Sequence, residues 1–415
     1  MAIGAVRQNV QAFLLYTIFL FLPYYAGSSG GIQPVDVFIF FACLYYIFLA
    51  NSSTIRISHK ITSSSVLIFL LFYQLLVLLC HAIFSITPDT WILTLFNFYY
   101  ICLLLLFYNM FKKIYELGGL QKLYNTLLNA MLISLAFPFW KLITRHAYLG
   151  GNFREALSFN DPNQIVFFCL LQLSILFYLS FLIRKRGYKL SKIKTFIILN
   201  FDLLMLYLSV SRSGLLFLIL YAVILIWIFE GKATKRMRVI YLFFWIFFAI
   251  LMLCVMYFFL YKHFILVRGN ALSLTLLEND LFLRSVQGVG DKLVDIPYFL
   301  FGSGVLRREV VIGSTEYHNN FIGILNQTGV IALILYTLFC ITSLIELAKK
   351  SFFCVLPFAL YIITSLSLFS YRSRFMWAFL AFTVFFTKIE IEAQHRYKQK
   401  SKGRDKVGIL YGKET

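Results

Sequence analysis

"GSTEYHNNFIGILNQTGVIALILY", residues 313–336, sets Glu316, Tyr317, His318 and Asn319 at the mouth of a long apolar run. The run continues without a charge until Glu346, so it is long enough for a spanning helix of roughly 20 residues. Stretches of the same kind recur from one end of the chain to the other. Over all 415 residues, 60% are hydrophobic, 19% aromatic and only 13% charged. The mean hydropathy is +0.81. A soluble domain of this size carries far more charge, so the composition specifies an integral membrane protein. Alternation of apolar and polar residues over about 10 residues is missing, which excludes an outer-membrane barrel. The expected fold class is all-α and polytopic.

Twelve spans are expected, at about 10–27, 33–50, 64–86, 91–111, 123–143, 163–183, 195–211, 214–230, 239–261, 319–345, 351–370 and 374–388. The formal net charge of +20 does not point to nucleic acid, because the basic residues sit in short clusters between apolar runs. Arg56 with Lys60, Lys112 and Lys113 with Lys122, "RKRGYKLSKIK" (184–194), "GKATKRMR" (231–238), Lys349 with Lys350, and the tail after Lys388 fall in alternate loops. The positive-inside rule places these loops and both termini in the cytoplasm. The first span acts as the targeting signal, since no cleavage pattern follows it.

The chain then divides into N-terminal spans (1–143), central spans with a short outer loop (144–261), one long structured outer loop (262–318), C-terminal spans (319–388) and a basic cytoplasmic tail (389–415). The seven cysteines all lie within apolar segments without paired spacing, so they read as small core residues. The six histidines lack metal-ligand spacing, and neither a metal nor a cofactor is expected.

Polar clusters collect on the outer face. "GGNFREALSFNDPNQ" (150–164) carries Arg154 and Asn163, and its Asn-Asp-Pro-Asn reads first as a turn with a helix N-cap. "SVSRSGLL" (209–216) drops Arg212 between two spans with almost no loop. "LRSVQGVGDKLVDIPYFLFGSG" (283–304) carries Arg284, and "SYRSRF" (370–375) carries Arg372 and Arg374. One arginine at a span end commonly snorkels to the headgroups. Several converging on one face call for an anionic ligand such as phosphate or pyrophosphate. Carboxylates within spans are few, chiefly Asp36 and Asp202, which argues against proton-coupled transport.

His318 and Asn319, nine residues and then Gly329 form a pattern that resembles the O-antigen polymerase and ligase superfamily. "SRSGLL" (211–216), "LRSVQ…LFGSG" (283–304) and "FREALSFNDPN" (153–163) are similar to further segments of that family. Ala332 stands where the family pattern has a second glycine, which leans the resemblance towards the polymerase. The likeness covers about 150–375; the first five spans match only in hydropathy and number.

The resemblance implies a glycosyltransferase on the periplasmic face of the bacterial inner membrane, using a glycan donor on undecaprenyl pyrophosphate. A chain-length-regulating membrane protein is a further implied partner. His318 would act as general base, and Arg212 and Arg284 would hold the pyrophosphate. Arg154, Asn163, Glu316, Tyr317, Asn319, Arg372 and Arg374 would bind substrate. The alternatives are the ligase, with lipid A core as acceptor, and a flippase or transporter of lipid-linked sugars that makes no bond.

Overall fold

The computed structural model describes residues 2–26, 32–48, 62–85, 88–144, 156–159, 161–209, 213–229, 296–304, 308–310, 313–315, 319–367, 371 and 373–389. Helices dominate: α1 (Ala2–Phe21), α2 (Pro34–Phe48), α3 (Ser63–Ser85), α4 (Pro88–Ser134), α5 (Ala136–Thr144), α6 (Pro162–Lys185), α7 (Lys192–Ser209) and α8 (Leu218–Phe229). Short α9 (Ile296–Phe301) precedes α10 (Asn320–Lys350), α11 (Leu356–Ser367) and a last helix, α12, over 374–389. Among the described residues, four helical stretches are long and apolar enough to cross a membrane: Ser63–Phe84, Thr90–Thr144, Asn163–Lys185 and Asn320–Lys350. Helix occupies most of the described part of each expected span, while 22–26 at the end of the first are turn and coil, and 239–261 lies outside the described residues.

The helical fold class holds, with one short non-helical addition. A two-stranded antiparallel hairpin, β1 (Arg308–Val310) with β2 (Gly313–Thr315), pairs Arg308 with Thr315 and Val310 with Gly313. The β-branched run Val310–Ile312 favours extended backbone over helix. Most of the long loop 262–318 lies outside the described residues.

The spans expected at 91–111 and 123–143 join through α4, whose backbone leaves the helical region at Gly119 (φ 68°, ψ −169°). Only glycine takes such backbone readily. The two halves pack differently. Tyr100 stacks on Trp377 of α12 at 5.1 Å, whereas the Tyr124 hydroxyl accepts from Ser191 N at 2.9 Å.

Side-chain contacts fix the sense of the bundle. α3 and α10 run antiparallel, with Ser63 N donating to Glu346 Oε1 (3.0 Å) and Gln74 Nε2 to Thr328 Oγ1 (3.3 Å). α6 and α12 run parallel, pairing Phe168 with Phe375 and Tyr178 with Phe386. α6 is the central column, with 94% of its apolar window buried against 33% for α10. One end of this frame carries a cluster of cations. Lys350 sits 4.9 Å over the Phe386 ring, Lys388 5.6 Å over Tyr108, and Arg184 5.9 Å over Trp227. Lys112 and Lys113 flank Glu116 one turn beyond Tyr108. Aromatic faces hold these ammonium and guanidinium groups at the rim of the apolar bundle.

Candidate functional site

The opposite end of the bundle holds every candidate site residue that the structure describes. Asn163 opens α6, Asn319 opens α10 and Arg374 opens α12. The sequence of each entrance accounts for its geometry. Asp161 caps α6, accepting from Asn163 N at 2.7 Å, and Pro162 takes the first helical position, where no amide donor is needed. The turn-and-cap reading of Asn-Asp-Pro-Asn therefore holds. Asn319 caps α10 through its Oδ1, which accepts from Phe321 N at 2.8 Å and Ile322 N at 3.3 Å. This cap anchors the backbone immediately after His318.

Arg374 has a role that sequence reading did not assign. Its guanidinium forms a two-toothed pair with Asp36, Nε to Oδ1 at 2.9 Å and Nη2 to Oδ2 at 2.8 Å. Tyr99 donates its hydroxyl to the same carboxylate, and the Tyr25 ring lies 5.3 Å from the guanidinium. Gln33 N adds a further donor to Asp36 Oδ2 at 2.7 Å. The planar fork of arginine matches a carboxylate in this way, and the pair ties the entrance of α2 to that of α12. The Arg374 charge is therefore balanced within the fold. His318, Arg212, Arg284, Arg154, Glu316, Tyr317 and Arg372 lie outside the described residues.

The glycine of the His-Asn pattern is explained by packing. α10 breaks at Gly329 (φ 82°, ψ −178°), and the turn Leu300–Gly304 docks into the break. A Cβ at Gly329 would lie 2.0 Å from the Leu300 carbonyl oxygen, and one at Gly302 only 2.5 Å from Gln327 C and Thr328 N. The break frees two carbonyls, and the turn satisfies both. Ser303 N donates to Asn326 O at 2.7 Å, and Gly304 N to Gln327 O at 3.1 Å. The Tyr298 hydroxyl donates to Asn326 Oδ1, and burial, opposed by the Ser303 hydrogen bond, raises that phenol above its ordinary range. His81 of α3 closes the joint, its Nε2 3.1 Å from Phe301 O and its ring against Gly304. The "LFGSG" turn and the first turns of α10 up to Gly329 thus form one interlocked unit.

Directly below this joint is a cleft with about 270 Å³ of unfilled space, part of it open to the surface. The polar groups of Gln74, Asn97, Gln327, Thr328 and Tyr371 line it, and Leu78, Leu93 and Tyr100 complete its wall. Tyr371 donates to Gln74 Oε1, while Trp377 Nε1 donates to the Tyr371 carbonyl at 2.8 Å. Asn97 Oδ1 and Gln327 Nε2 have no hydrogen-bond partner among the described residues. Leaving such a group unmet costs about 1–3 kcal/mol each. None of these residues was singled out from sequence. The available signal was an amide within an apolar run, as in "LLFYQLLV" and "LTLFNFYY", because polar groups at membrane depth are costly without a role.

No protein-family model matches the chain, and no curated protein matches it.

Proposed function

We propose that this chain is a membrane glycosyltransferase that polymerises lipid-linked oligosaccharide repeat units on the periplasmic face of the bacterial inner membrane. Twelve spans cross that membrane, with both termini and the basic helix ends in the cytoplasm. The growing glycan leaves one undecaprenyl pyrophosphate and joins the non-reducing end of the next lipid-linked unit. The observation that carries this reading is the joint at Gly329, where the glycine of the His-Asn pattern and the "LFGSG" segment meet. It supports the resemblance, because two of the motifs behind it are structural partners rather than separate coincidences.

In the proposed reaction a sugar hydroxyl of the acceptor attacks the anomeric carbon of the donor. A new C–O bond forms as the bond to pyrophosphate breaks. His318, as neutral imidazole, takes the hydroxyl proton, and the departing pyrophosphate carries the bonding electron pair. Arg212 and Arg284 stabilise the charge that develops on it. Arg374 acts as a tie between α2 and α12, with Asp36 as its partner.

Purified protein supplied with lipid-linked repeat units alone should yield a ladder of products on a gel. A product that forms only when lipid A core is added would identify the ligase instead. Absence of any product, with repeat units moved between the leaflets of a vesicle, would favour the flippase.

A further inference from the structure

We infer that the cleft beneath the Gly329 joint is a subsite for a hydroxyl group on a neutral sugar. The inference deepens the glycosyltransferase reading and rests on it for the identity of the sugar-bearing ligand. Three observations carry it. First, the lining is polar but uncharged: two unmet amides, a hydroxyl and a phenol stand among leucines. Among the described residues no cation lines the cleft to meet a phosphate or carboxylate, which favours a neutral ligand. Second, Asn97 and Gln327 are only 3% and 5% exposed, yet Asn97 Oδ1 lacks a donor and Gln327 Nε2 lacks an acceptor. Exchanging O and N in both amides together still leaves one donor and one acceptor facing the space, since each carboxamide carries both functions. A hydroxyl donates and accepts at once, so one such group answers both amides. Third, the neighbouring wall is apolar and aromatic, with Leu78, Leu93 and Tyr100 exposed to the space. Sugars combine hydroxyl edges with C–H faces and suit a wall of this composition.

Size limits the ligand further. The enclosed part has room for one oxygen-sized group, so a sugar would insert an edge rather than a whole chain. Position also fits. Gln327 lies eight residues beyond Asn319 along α10, about 12 Å at the helical rise, beneath the end that Asn319 caps. One amide of the wall is itself held in place. Gln74, on the same wall, is fixed by Thr328 and Tyr371.

The test is direct binding, which needs no turnover. The protein would be placed in a nanodisc free of sugar-headed detergent and probed by saturation-transfer NMR with D-glucose, D-galactose and N-acetyl-D-glucosamine. At least one sugar should bind, with a dissociation constant on the order of millimolar. Asn97→Leu and Gln327→Met, close in volume, should each weaken binding about tenfold. Leu93→Phe keeps both amides and fills the cleft, so it should abolish binding even if the amide variants fail to fold. Absence of transfer from all three sugars, or transfer unchanged by Leu93→Phe, would overturn the subsite and leave water as the occupant. A polymer ladder from wild-type protein that binds no free sugar would reject the subsite alone. Sugar binding without a ladder would reject the polymerase alone.

Discussion

Gly329→Ala is the substitution whose consequence can be worked out most fully from the structure. The backbone at φ 82°, ψ −178° lies in a region essentially reserved for glycine, and holding alanine there costs on the order of 1–3 kcal/mol. The added Cβ would also lie 2.0 Å from the Leu300 carbonyl oxygen, a backbone atom that cannot swing aside. The turn Leu300–Gly304 must retreat, which breaks Ser303 N to Asn326 O and Gly304 N to Gln327 O. Each is worth about 1 kcal/mol net. The total is about 3–5 kcal/mol. Gly119→Ala is the matched control, because Gly119 adopts nearly the same backbone (φ 68°, ψ −169°) with nothing within 4 Å of the added carbon. It should show the strain alone. Thermal unfolding of detergent-purified protein, followed by size-exclusion of the surviving fraction, would compare the two. Gly329→Ala should be the less stable by about 2 kcal/mol, the two lost bonds. Equal destabilisation of the two variants would refute the docking of the turn into the break.

Other expectations follow from particular contacts. Arg374→Gln should destabilise by about 3 kcal/mol, because it strands the Asp36 carboxylate; pairing it with Asp36→Asn should recover most of the loss in a double-mutant cycle. Asp161→Ala should cost about 1 kcal/mol of unfolding free energy through the lost cap of α6, and Asp161→Asn should cost little. A cysteine placed at Lys292 should react with an impermeant reagent in cells whose outer membrane is permeabilised; labelling only after lysis would reverse the orientation. Arg212→Ala and Arg284→Ala should abolish product formation in folded protein, with lysine restoring only part, since it lacks the bidentate fork.

The helical class was readable because the apolar runs exceed what any soluble helix needs, and their boundaries follow from local chemistry. The Asp161 cap, the Asn319 entrance and the basic last turns at Arg184–Lys185 and Lys349–Lys350 are each set by one or two neighbouring residues. The site was harder to read, for a physical reason. Asp36 and Arg374 are 338 residues apart, and nothing local to either announces the other. The same holds for Gln74 and Tyr371, joined across 297 residues. Gly329 was noticed as part of a spacing pattern, yet its function as the gap that admits Leu300 depends on a segment elsewhere in the chain. The hairpin at 308–315 escaped because three-residue strands carry too short a pattern to stand out in a charged stretch.

In the proposed reaction His318 drives the joining of lipid-linked repeat units. Its most direct measurement is the rate of ladder formation from such units, without lipid A core, for wild type and His318→Ala across pH. The wild-type rate should rise with pH through the histidine range, because only neutral imidazole accepts a proton. His318→Ala should bind the lipid-linked donor yet turn over ~10²–10⁴-fold more slowly, with that rise gone. An undiminished ladder from His318→Ala, or a core-dependent product from the wild type, would contradict the account.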